Sequence, residues 1–180
     1  MTFSSDDFRG AMSAGLAAPN KWRITLPNLS GTKKPEGGSY DGPEPRELNF
    51  HVTATRLPGA DIQTVDRNIG TEPKKVAIAK TPQPVAITCY LDQKYLARKY
   101  FQGWMDCVTS RAEPYYAGFL KNYGKAVTIQ QLDKEGSEIY TAILLEAYPI
   151  SISDVEFNNQ QATGAAEFTV TLSYTSVFTL

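Results

Sequence analysis

The sequence predicts a mainly β, α+β fold: an antiparallel barrel or sandwich flanked by one amphipathic helix and a short N-terminal helix. Several segments alternate apolar and polar residues with a period of two, as half-buried strands do. Residues 93–111 change to a helical period, and glycine and proline separate the segments. At 180 residues the chain can bury a sizeable core, and we expect one domain over 1–180.

The composition argues against several classes of partner and compartment. A net charge of −1 is unfavourable for general affinity to nucleic acid or anionic membranes. Asp6 and Asp7 stand where a secretory signal peptide would be basic, so export by that route is not expected. The longest apolar run, AILL at 142–145, is too short to cross a bilayer, so membrane insertion is not expected. Cys89 and Cys107 could pair by number, but without an export signal they are interpreted as reduced, buried thiols.

The first elements are a helix, a strand and a long loop. Residues 5–18 predict a short helix, because three apolar residues recur at intervals of four from Phe8 onward. KWRITLP at 21–27 alternates apolar and polar residues and ends at a proline, which predicts a strand. Seven glycines and prolines interrupt 30–46, which predicts a long loop that is functional or mobile.

Two predicted strands carry polar faces without charge. In EFTVTLSYTSVF, residues 167–178, apolar side chains alternate with threonine and serine without a break. ELNFHVTATRLPG, residues 47–59, shows the same alternation, with the apolar residues from Leu48 to Ala54 on one face. A strand face that meets bulk water usually carries Lys or Glu, so these faces indicate a special environment.

The remaining segments complete the β pattern and supply one long helix. The helix at 93–111 presents two adjacent apolar rows, which together make a face wide enough to cover a sheet. DKEG joins the last long pair of strands as a hairpin, with Gly136 at a position that tolerates positive φ. Further strands are predicted at Ile62–Asp66, Lys75–Ala79, 84–92, 126–132 and 137–152.

The sequence offers little for catalysis. His51 is the only histidine, and no cysteine or carboxylate stands at metal-ligand spacing from it, so no metal or cofactor is expected. Motifs for a nucleophilic serine, a phosphate-binding loop and a dinucleotide site are absent. We therefore expect a structural protein and no enzyme. An aromatic stretch is better explained as a cap of the core or a subunit contact than as a base-stacking surface, since few cations accompany it; it comprises Tyr115, Tyr116, Phe119 and Tyr123.

The order of these segments resembles a known family. The short helix leads into AAPNKWRITLP, a strand ends in VTATRLPGADIQ, and the central helix contains YFQGWMDCV. With the C-terminal LEAYPISISDVEFNNQQATGAAEFTVTLSYTSV, these segments are together similar to the tail tube proteins of contractile-tailed bacteriophages. The resemblance covers nearly the whole chain, and it is interrupted by the loop at 30–46, which looks longer than the family pattern.

The resemblance implies the tube β-barrel that this family shares with type VI secretion tube rings. Six subunits would form a ring, and stacked rings would form the inner tail tube of a virion, through which DNA passes without specific binding. The implied partners are further copies of the chain and the tail sheath, baseplate, tail terminator and tape measure proteins. Assembly would take place in the cytoplasm of the host bacterium.

The same resemblance gives the uncharged faces and the sheet edges candidate roles. Fixed positive charge in a channel would bind the phosphates of a passing genome, so an uncharged face is suited to the lumen. The alternative is that these faces are ordinary exterior or lie under a helix, since alternation identifies the two faces of a strand without saying which is inside. An unpaired edge accepts a further strand, so edges are candidates for ring contacts. The candidate lumen residues are Thr169, Thr171, Ser173, Thr175, Asn49, His51 and Thr53, and the candidate interface residues are Thr55, Leu57, Pro58, Gly59, Tyr148, Pro149 and Asn158.

Other functions stay open at this point. Within the same class, the chain could be a baseplate protein that initiates the tube, or the tube protein of an injection particle. From a different class, a monomeric β-barrel could bind an apolar ligand in a pocket lined by Trp22, Phe50, Phe168 and Tyr174. Self-association separates the tube proteins from the ligand-binding protein.

Overall fold

The computed structural model describes residues 17–68, 73–110, 116–155 and 165–180. The helix predicted at 5–18 lies outside these residues except for Ala17 and Ala18, which are not helical. In chain order the described elements are β1 (Trp22–Thr25), α1 (Pro45–Leu48), β2 (Val52–Thr55), β3 (Ala60–Asn68), β4 (Pro73–Pro82), β5 (Val85–Tyr90), α2 (Leu96–Val108), α3 (Leu120–Tyr123), β6 (Lys125–Leu132), β7 (Glu138–Ile152), β8 (Glu167–Ser173) and β9 (Ser176–Thr179).

Antiparallel pairing joins all of these strands, which confirms the predicted fold class. The long strand β7 belongs to two half-sheets. Its first half lies between β6 and β9, and its second half pairs with β8. The backbone turns between the halves at Glu146, whose φ of 53° is rare for a residue with a side chain. The first half-sheet therefore runs β1-β6-β7-β9, and the second runs β7-β8-β5-β2.

The core lies between the half-sheets and α2. Alternate residues of the strands face it, among them Ile129 from the first half-sheet and Val170 from the second, both almost fully buried. Phe101 of α2 packs against Phe168 of β8, with ring centroids 6.4 Å apart. The helix begins at Leu96 after the N-cap residue Tyr95, and the N–H of Leu96 donates to the side chain of Asp92 at 2.8 Å. Its buried residues are Ala97, Tyr100, Phe101, Trp104 and Cys107, so the predicted helix is confirmed with closer ends.

Both cysteines are free and buried, as the composition predicts. Cys89 lies on the inner side of β5, and burial raises its pKa to about 12. Cys107 lies near the end of α2, where burial likewise raises its pKa. A thiol with a raised pKa is a poor nucleophile at neutral pH, so both side chains serve packing.

The strand predicted at 47–59 is wrong over its first half. Residues Pro45–Leu48 form one turn of helix, and only Val52–Thr55 are a strand. Proline is favoured at the first helical position because its missing N–H has no partner there to lose. Leu48 and Val52 are buried, whereas Phe50 is 88% exposed and Ala54 is also exposed. These four residues therefore do not share one buried face.

The strand predicted at 167–178 breaks at Tyr174 and Thr175. β8 ends at Ser173, and β9 pairs with a different part of β7. The Tyr174 hydroxyl donates to the carbonyl oxygen of Gly59 over 3.3 Å, and the N–H of Thr175 donates to a carbonyl of β7. The alternation of apolar and polar residues continues through this corner, which hides it from a periodicity argument.

β3 and β4 form a separate two-stranded sheet, which we call the hairpin. The strands predicted at Ile62–Asp66 and Lys75–Ala79 are confirmed and extend further in both directions. Every described side chain of the hairpin is exposed, apart from the partly buried Pro82 at its end. The hairpin therefore stands away from the packed body of the subunit.

The long loop is held in place by contacts along its length. Lys33 and Ser39 form an antiparallel bridge across a turn in which Gly37 and Gly38 have φ angles of 93° and 85°. The Lys34 ammonium group pairs with an Asp41 carboxylate oxygen at 2.8 Å. The predicted loop thus has a defined fold, and its last two residues belong to α1.

Candidate assembly surfaces

The outer side of the second half-sheet carries a row of hydroxyl groups. Thr169, Thr171 and Ser173 point away from the core, because the residues between them on β8 are buried. Thr88 of β5 stands opposite Thr169, with the two hydroxyl oxygens 3.3 Å apart, and Ser151 of β7 stands opposite Thr171. We call these five residues the hydroxyl face. The structure thus brings three predicted lumen residues together and adds two that sequence reasoning missed.

The hydroxyl face is uncharged across its width. No Lys or Arg occurs on β5, β8, β2 or the second half of β7 in the described chain. Glu167 supplies a charge at one end, where it stands opposite Tyr90. α2 packs on the other side of this half-sheet, since Phe168 faces Phe101. The face therefore looks away from both the core and the long helix.

Two other predicted lumen residues have structural roles before β2. The side-chain oxygen of Asn49 accepts the N–H of Leu26 at 3.2 Å and joins the end of β1 to the approach to β2. His51 lies in the turn before β2, and its carbonyl oxygen accepts the N–H of Tyr90 at 2.8 Å. Neither residue belongs to a strand. Their predicted placement on an uncharged strand face is therefore wrong, because the chain forms α1 and a turn there.

Thr53 and Thr175 also lie off the hydroxyl face. Thr53 sits on β2 at a register shift between Val52 and Ala54, and its hydroxyl donates to the carbonyl oxygen of Thr88. Thr175 occupies the corner after β8, so its predicted strand position is wrong. A one-residue irregularity changes which way a side chain points, and both residues stand at such irregularities.

The second half-sheet has two open edges in the described part of the chain. β2 has one strand partner, β5, and residues 148–152 of β7 have one strand partner, β8. The hydroxyl of Thr55 at the end of β2 is buried and finds no hydrogen-bond partner among the described residues. Open edges at both sides of one half-sheet are complementary, because each offers unpaired backbone groups to the other.

A groove of about 940 Å³ separates β2 from β1, the outermost strands of the two half-sheets. Trp22 and Phe50 line it, together with the predicted interface residues Thr55 and Leu57. Phe168 and Tyr174 are buried in the body instead. The four aromatic residues expected to line one ligand pocket are therefore divided between a surface groove and the core.

The predicted interface residues Leu57, Pro58 and Gly59 form the root of the hairpin. Leu57 is 50% exposed. The carbonyl oxygen of Gly59 accepts both the backbone N–H of Gln83 and the hydroxyl of Tyr174, which fastens the root to the body. These residues therefore set the direction in which the hairpin leaves the subunit.

The other predicted interface residues lie elsewhere. Tyr148 packs edge-on against Tyr123 at 5.1 Å, and Pro149 is buried opposite Leu172, so both contribute to the subunit's own packing. Their role between subunits stays a prediction, and Asn158 lies outside the described residues.

The aromatic stretch after α2 contains both partly buried and exposed rings. Tyr123 is partly buried, whereas Tyr116 and Phe119 are 61% and 81% exposed. Tyr115 lies outside the described residues. The stretch thus contributes to the packing of the subunit at its end and leaves two rings accessible.

Metal-binding clusters and membrane-spanning helices are other features that the described residues could contain. These residues contain no cluster of three or more histidine, cysteine or acidic side chains that could hold a metal ion. Their helices are all too short or too polar to cross a membrane.

A family model described as phage tail tube protein matches residues 17–179. The chain belongs to the phage tail tube protein family. Membership assigns this tail tube chain a structural part in a tail tube.

Solved structures share the fold of this tail tube protein at low sequence identity. A chain of the sheath–tube complex of an extracellular contractile injection system, PVC, in the extended state has a TM-score of 0.63 at 12% identity, with 99% of each chain covered. A chain of the anti-feeding prophage tube-terminating cap has a TM-score of 0.64 at 13% identity, covering 92% of this chain and 91% of that one. A type six secretion system protein has a TM-score of 0.50 at 10% identity, covering 87% and 80%. Comparison with curated proteins finds no match.

Proposed function

We propose that this tail tube protein forms six-membered rings that stack into the inner tube of a contractile tail, through which DNA is delivered. The observation that carries the proposal is the exposed hairpin. Its apolar side chains Ile62, Val65, Val76 and Ile78 are between 41% and 66% exposed. An isolated two-stranded sheet is marginally stable in water, and the described residues of the subunit do not cover these side chains, so a neighbouring copy is a suitable partner for them.

Ring closure would use the two open edges of the second half-sheet. β2 of one copy would lie beside residues 148–152 of the next copy, and both edges would gain hydrogen bonds. A contact between two different surfaces repeats around an axis and closes into a ring when the rotation fits. Each copy would supply the four strands β7-β8-β5-β2 to a continuous barrel.

The dimensions of that barrel agree with a channel for DNA. Six copies would give about 24 strands, spaced about 4.8 Å apart and tilted by about 40°, and hence a barrel about 50 Å across between backbones. Side chains would narrow the opening to about 40 Å. A subunit of 180 residues has a radius of gyration of roughly 16 Å, and six such bodies around an axis leave a hole of similar width.

In this arrangement the hydroxyl face would line the lumen. The face is hydrated but carries no cation, so DNA phosphates would find no fixed charge to bind there. The hairpin would reach the adjacent ring, where its apolar side chains would be covered. The tail sheath, baseplate, terminator and tape measure proteins are the expected partners, and assembly is expected in the cytoplasm of the host bacterium.

Electron microscopy of the purified chain tests the assembly. Rings or tubes are expected from the unmodified protein, and shorter stacks or single rings from a variant with Ile62→Ser and Ile78→Ser. Ile139→Ser, an exposed isoleucine outside the hairpin, is the matched control and should form normal tubes. A chain that stays monomeric at high concentration would contradict the proposal and favour ligand binding at the groove beside Trp22 and Phe50.

A lumen substitution tests the channel. Particles with Thr169→Lys, Thr171→Lys and Ser173→Lys should assemble normally but deliver DNA less efficiently, because lysines would hold the passing phosphates. Particles with Thr169→Ser, Thr171→Ser and Ser173→Thr should behave as the unmodified ones do. Normal DNA delivery by the lysine variant would count against a lumen position for the hydroxyl face.

Copy number separates the tail tube from its alternatives. A tube protein is present in many copies per particle, whereas a baseplate protein that initiates the tube is present in few. Quantitative mass spectrometry of purified particles measures this ratio. Particles that contain the chain in high copy but no DNA would identify the tube of an injection particle.

A further inference from the structure

The hairpin continues the pair formed by β2 and β5 through two short connections. β2 leads into β3 through residues 56–59, and β4 leads into β5 through Gln83 and Pro84 alone. Prolines stand at 58, 82 and 84, within or beside these connections. Because proline fixes φ, the connections have few backbone conformations open to them. The hairpin is therefore joined to the second half-sheet by a short and restricted length of chain.

Side-chain packing on the described body does not set the direction of the hairpin. A pocket of about 390 Å³ lies between its base and the body. Ala60 and Lys80 border this pocket on the hairpin side, and Tyr140 and Val177 border it on the body side. Beyond the base, the described side chains of both hairpin strands are exposed. The direction therefore depends on the contacts at the root.

Three polar side chains hold the root from different elements. The carbonyl oxygen of Gly59 accepts the N–H of Gln83 at 3.0 Å and the hydroxyl of Tyr174 at 3.3 Å. The side-chain amide of Gln83 donates to the carboxylate of Asp61 at 2.8 Å. The amide oxygen lies so close to Gly59 that a Cβ there would approach it within 2.6 Å. We call Asp61, Gln83 and Tyr174 the root clamp, which joins both hairpin strands to the corner after β8.

A small change of angle at the root has a large effect at the other end of the hairpin. The nine residues of β3 span about 30 Å. A rotation of about 10° at the root would move the far end by about 5 Å, which is about the spacing between paired strands. Val65 and Val76, which stand opposite each other midway along the hairpin, would move by about half as much. Contacts made by the hairpin therefore depend on how firmly the root is held.

We propose that the root clamp sets the direction of the hairpin and thereby the rotation between successive rings; this rests on the proposed function. Asp61, Gln83 and Tyr174 are positioning residues, since they hold the hairpin rather than contact the adjacent ring. The proposal also gives Tyr174 a role. Its side chain is 5% exposed, so its hydroxyl reaches Gly59 where little water competes for the carbonyl oxygen.

An exchange of donor and acceptor tests the pair formed by Asp61 and Gln83. Gln83→Glu places two carboxylates together with no donor between them, so the clamp should open. Gln83→Glu combined with Asp61→Asn again supplies one amide and one carboxylate and should close it. Electron cryomicroscopy of assembled tubes measures the rotation between rings. It should be altered or uneven for Gln83→Glu, and it should return to the unmodified value for the double variant, with the ring diameter unchanged in both.

Removal of one hydroxyl gives the second test. Tyr174→Phe keeps the buried ring but loses its bond to Gly59, so the backbone amide of Gln83 should exchange its hydrogen about fivefold faster in the dissociated subunit. Tubes of this variant should show a less uniform rotation between rings. Tyr90→Phe, which removes the hydroxyl of a tyrosine that is 45% exposed, is the matched control and should change neither measurement.

Each failure has a different appearance. An unchanged rotation in tubes of both Gln83→Glu and Tyr174→Phe would overturn the inference and leave the proposed function standing. A defect of Gln83→Glu that the added Asp61→Asn does not correct would also overturn it, because Gln83 would then act through a contact other than the clamp. Absence of rings and tubes from the unmodified chain would refute the proposed function, and the inference about rotation would fail with it.

Discussion

The packed body and the hairpin differ most in how far their apolar side chains are buried. In the body, Trp104, Phe101 and Phe168 are almost fully buried around α2. In the hairpin, strands of nine and ten residues pair only with each other among the described strands and expose both faces. The body buries its own apolar surface, whereas the described residues leave the apolar side chains of the hairpin uncovered, which the proposed assembly would cover. The change from buried to exposed side chains lies at the root of the hairpin, near Gly59.

Hydrogen exchange gives the largest expected contrast between the two regions. In the dissociated subunit, amides of β3 and β4 should open with a free energy near zero, while amides of β8 should require global unfolding, about 5 kcal/mol or more. In assembled tubes the hairpin amides should become strongly protected, because in the proposed arrangement the adjacent ring would cover them. Equal protection of the hairpin in subunit and tube would break the comparison and place its partner within the chain.

Truncation of the core gives the next effect. Phe168→Ala should lower the free energy of unfolding by about 3–5 kcal/mol, because it removes a ring buried against Phe101. Val65→Ala in the hairpin should change it by less than about 0.5 kcal/mol, because Val65 is 48% exposed. Urea denaturation of the dissociated subunit measures both. A large loss at Val65 would mean that the hairpin packs on the body in solution.

Periodicity predicted the elements of both regions but not their partners. The rows that place Phe101 and Trp104 on one side of α2 repeat at helical spacing, and this spacing follows from the geometry of the helix alone. The hairpin strands were also recognisable, but alternation does not tell whether a face meets a core, water or another subunit. That distinction depends on tertiary contacts, and the neighbouring copies that would supply them are separate molecules.

The errors at β2 and after β8 have different causes. A signal was present before β2, because Pro45 suits the first position of a helix. The predicted strand at 47–59 rested instead on the alternation over Leu48, Phe50, Val52 and Ala54. At the corner after β8, neither Tyr174 nor Thr175 is a turn-forming residue, so the end of this strand could not be predicted from the sequence. The turn of β7 at Glu146 is equally hidden, since its positive φ falls on a residue other than glycine.

A substitution at the contact between the loop and α2 should have an intermediate effect. Gly103→Ala should lower the free energy of unfolding by about 1–2 kcal/mol, because its methyl group would displace the Tyr40 ring. Thermal or urea unfolding measures the loss. In a protein that already carries Tyr40→Ala, the added Gly103→Ala substitution should cost less than it does in the unmodified protein, because the ring that it would displace is absent. A fully additive pair of losses would show that Tyr40 does not contact the helix in solution.

Thiol labelling gives the smallest expected effect. It compares the two regions by how easily a reagent reaches a thiol in each. Cys89 should not react with a disulfide reagent at pH 8 in the native subunit, since it is buried and its pKa is raised to about 12. A cysteine placed in the hairpin by Thr64→Cys should react at once, because that position is exposed. Urea-unfolded protein, in which every thiol reacts, serves as the control for the reagent.

The same thiol gives stability a pH dependence of predictable sign. The unfolded chain ionises Cys89 near pH 9, whereas the folded chain holds its proton to about pH 12. The contribution of this thiol is therefore fully present below pH 9 and is lost as the pH rises from 9 towards 12. Cys89→Ala should flatten the unfolding profile over that interval. Rapid labelling of native Cys89 at pH 8 would instead show that β5 opens locally, and the body would then be less self-sufficient than its packing indicates.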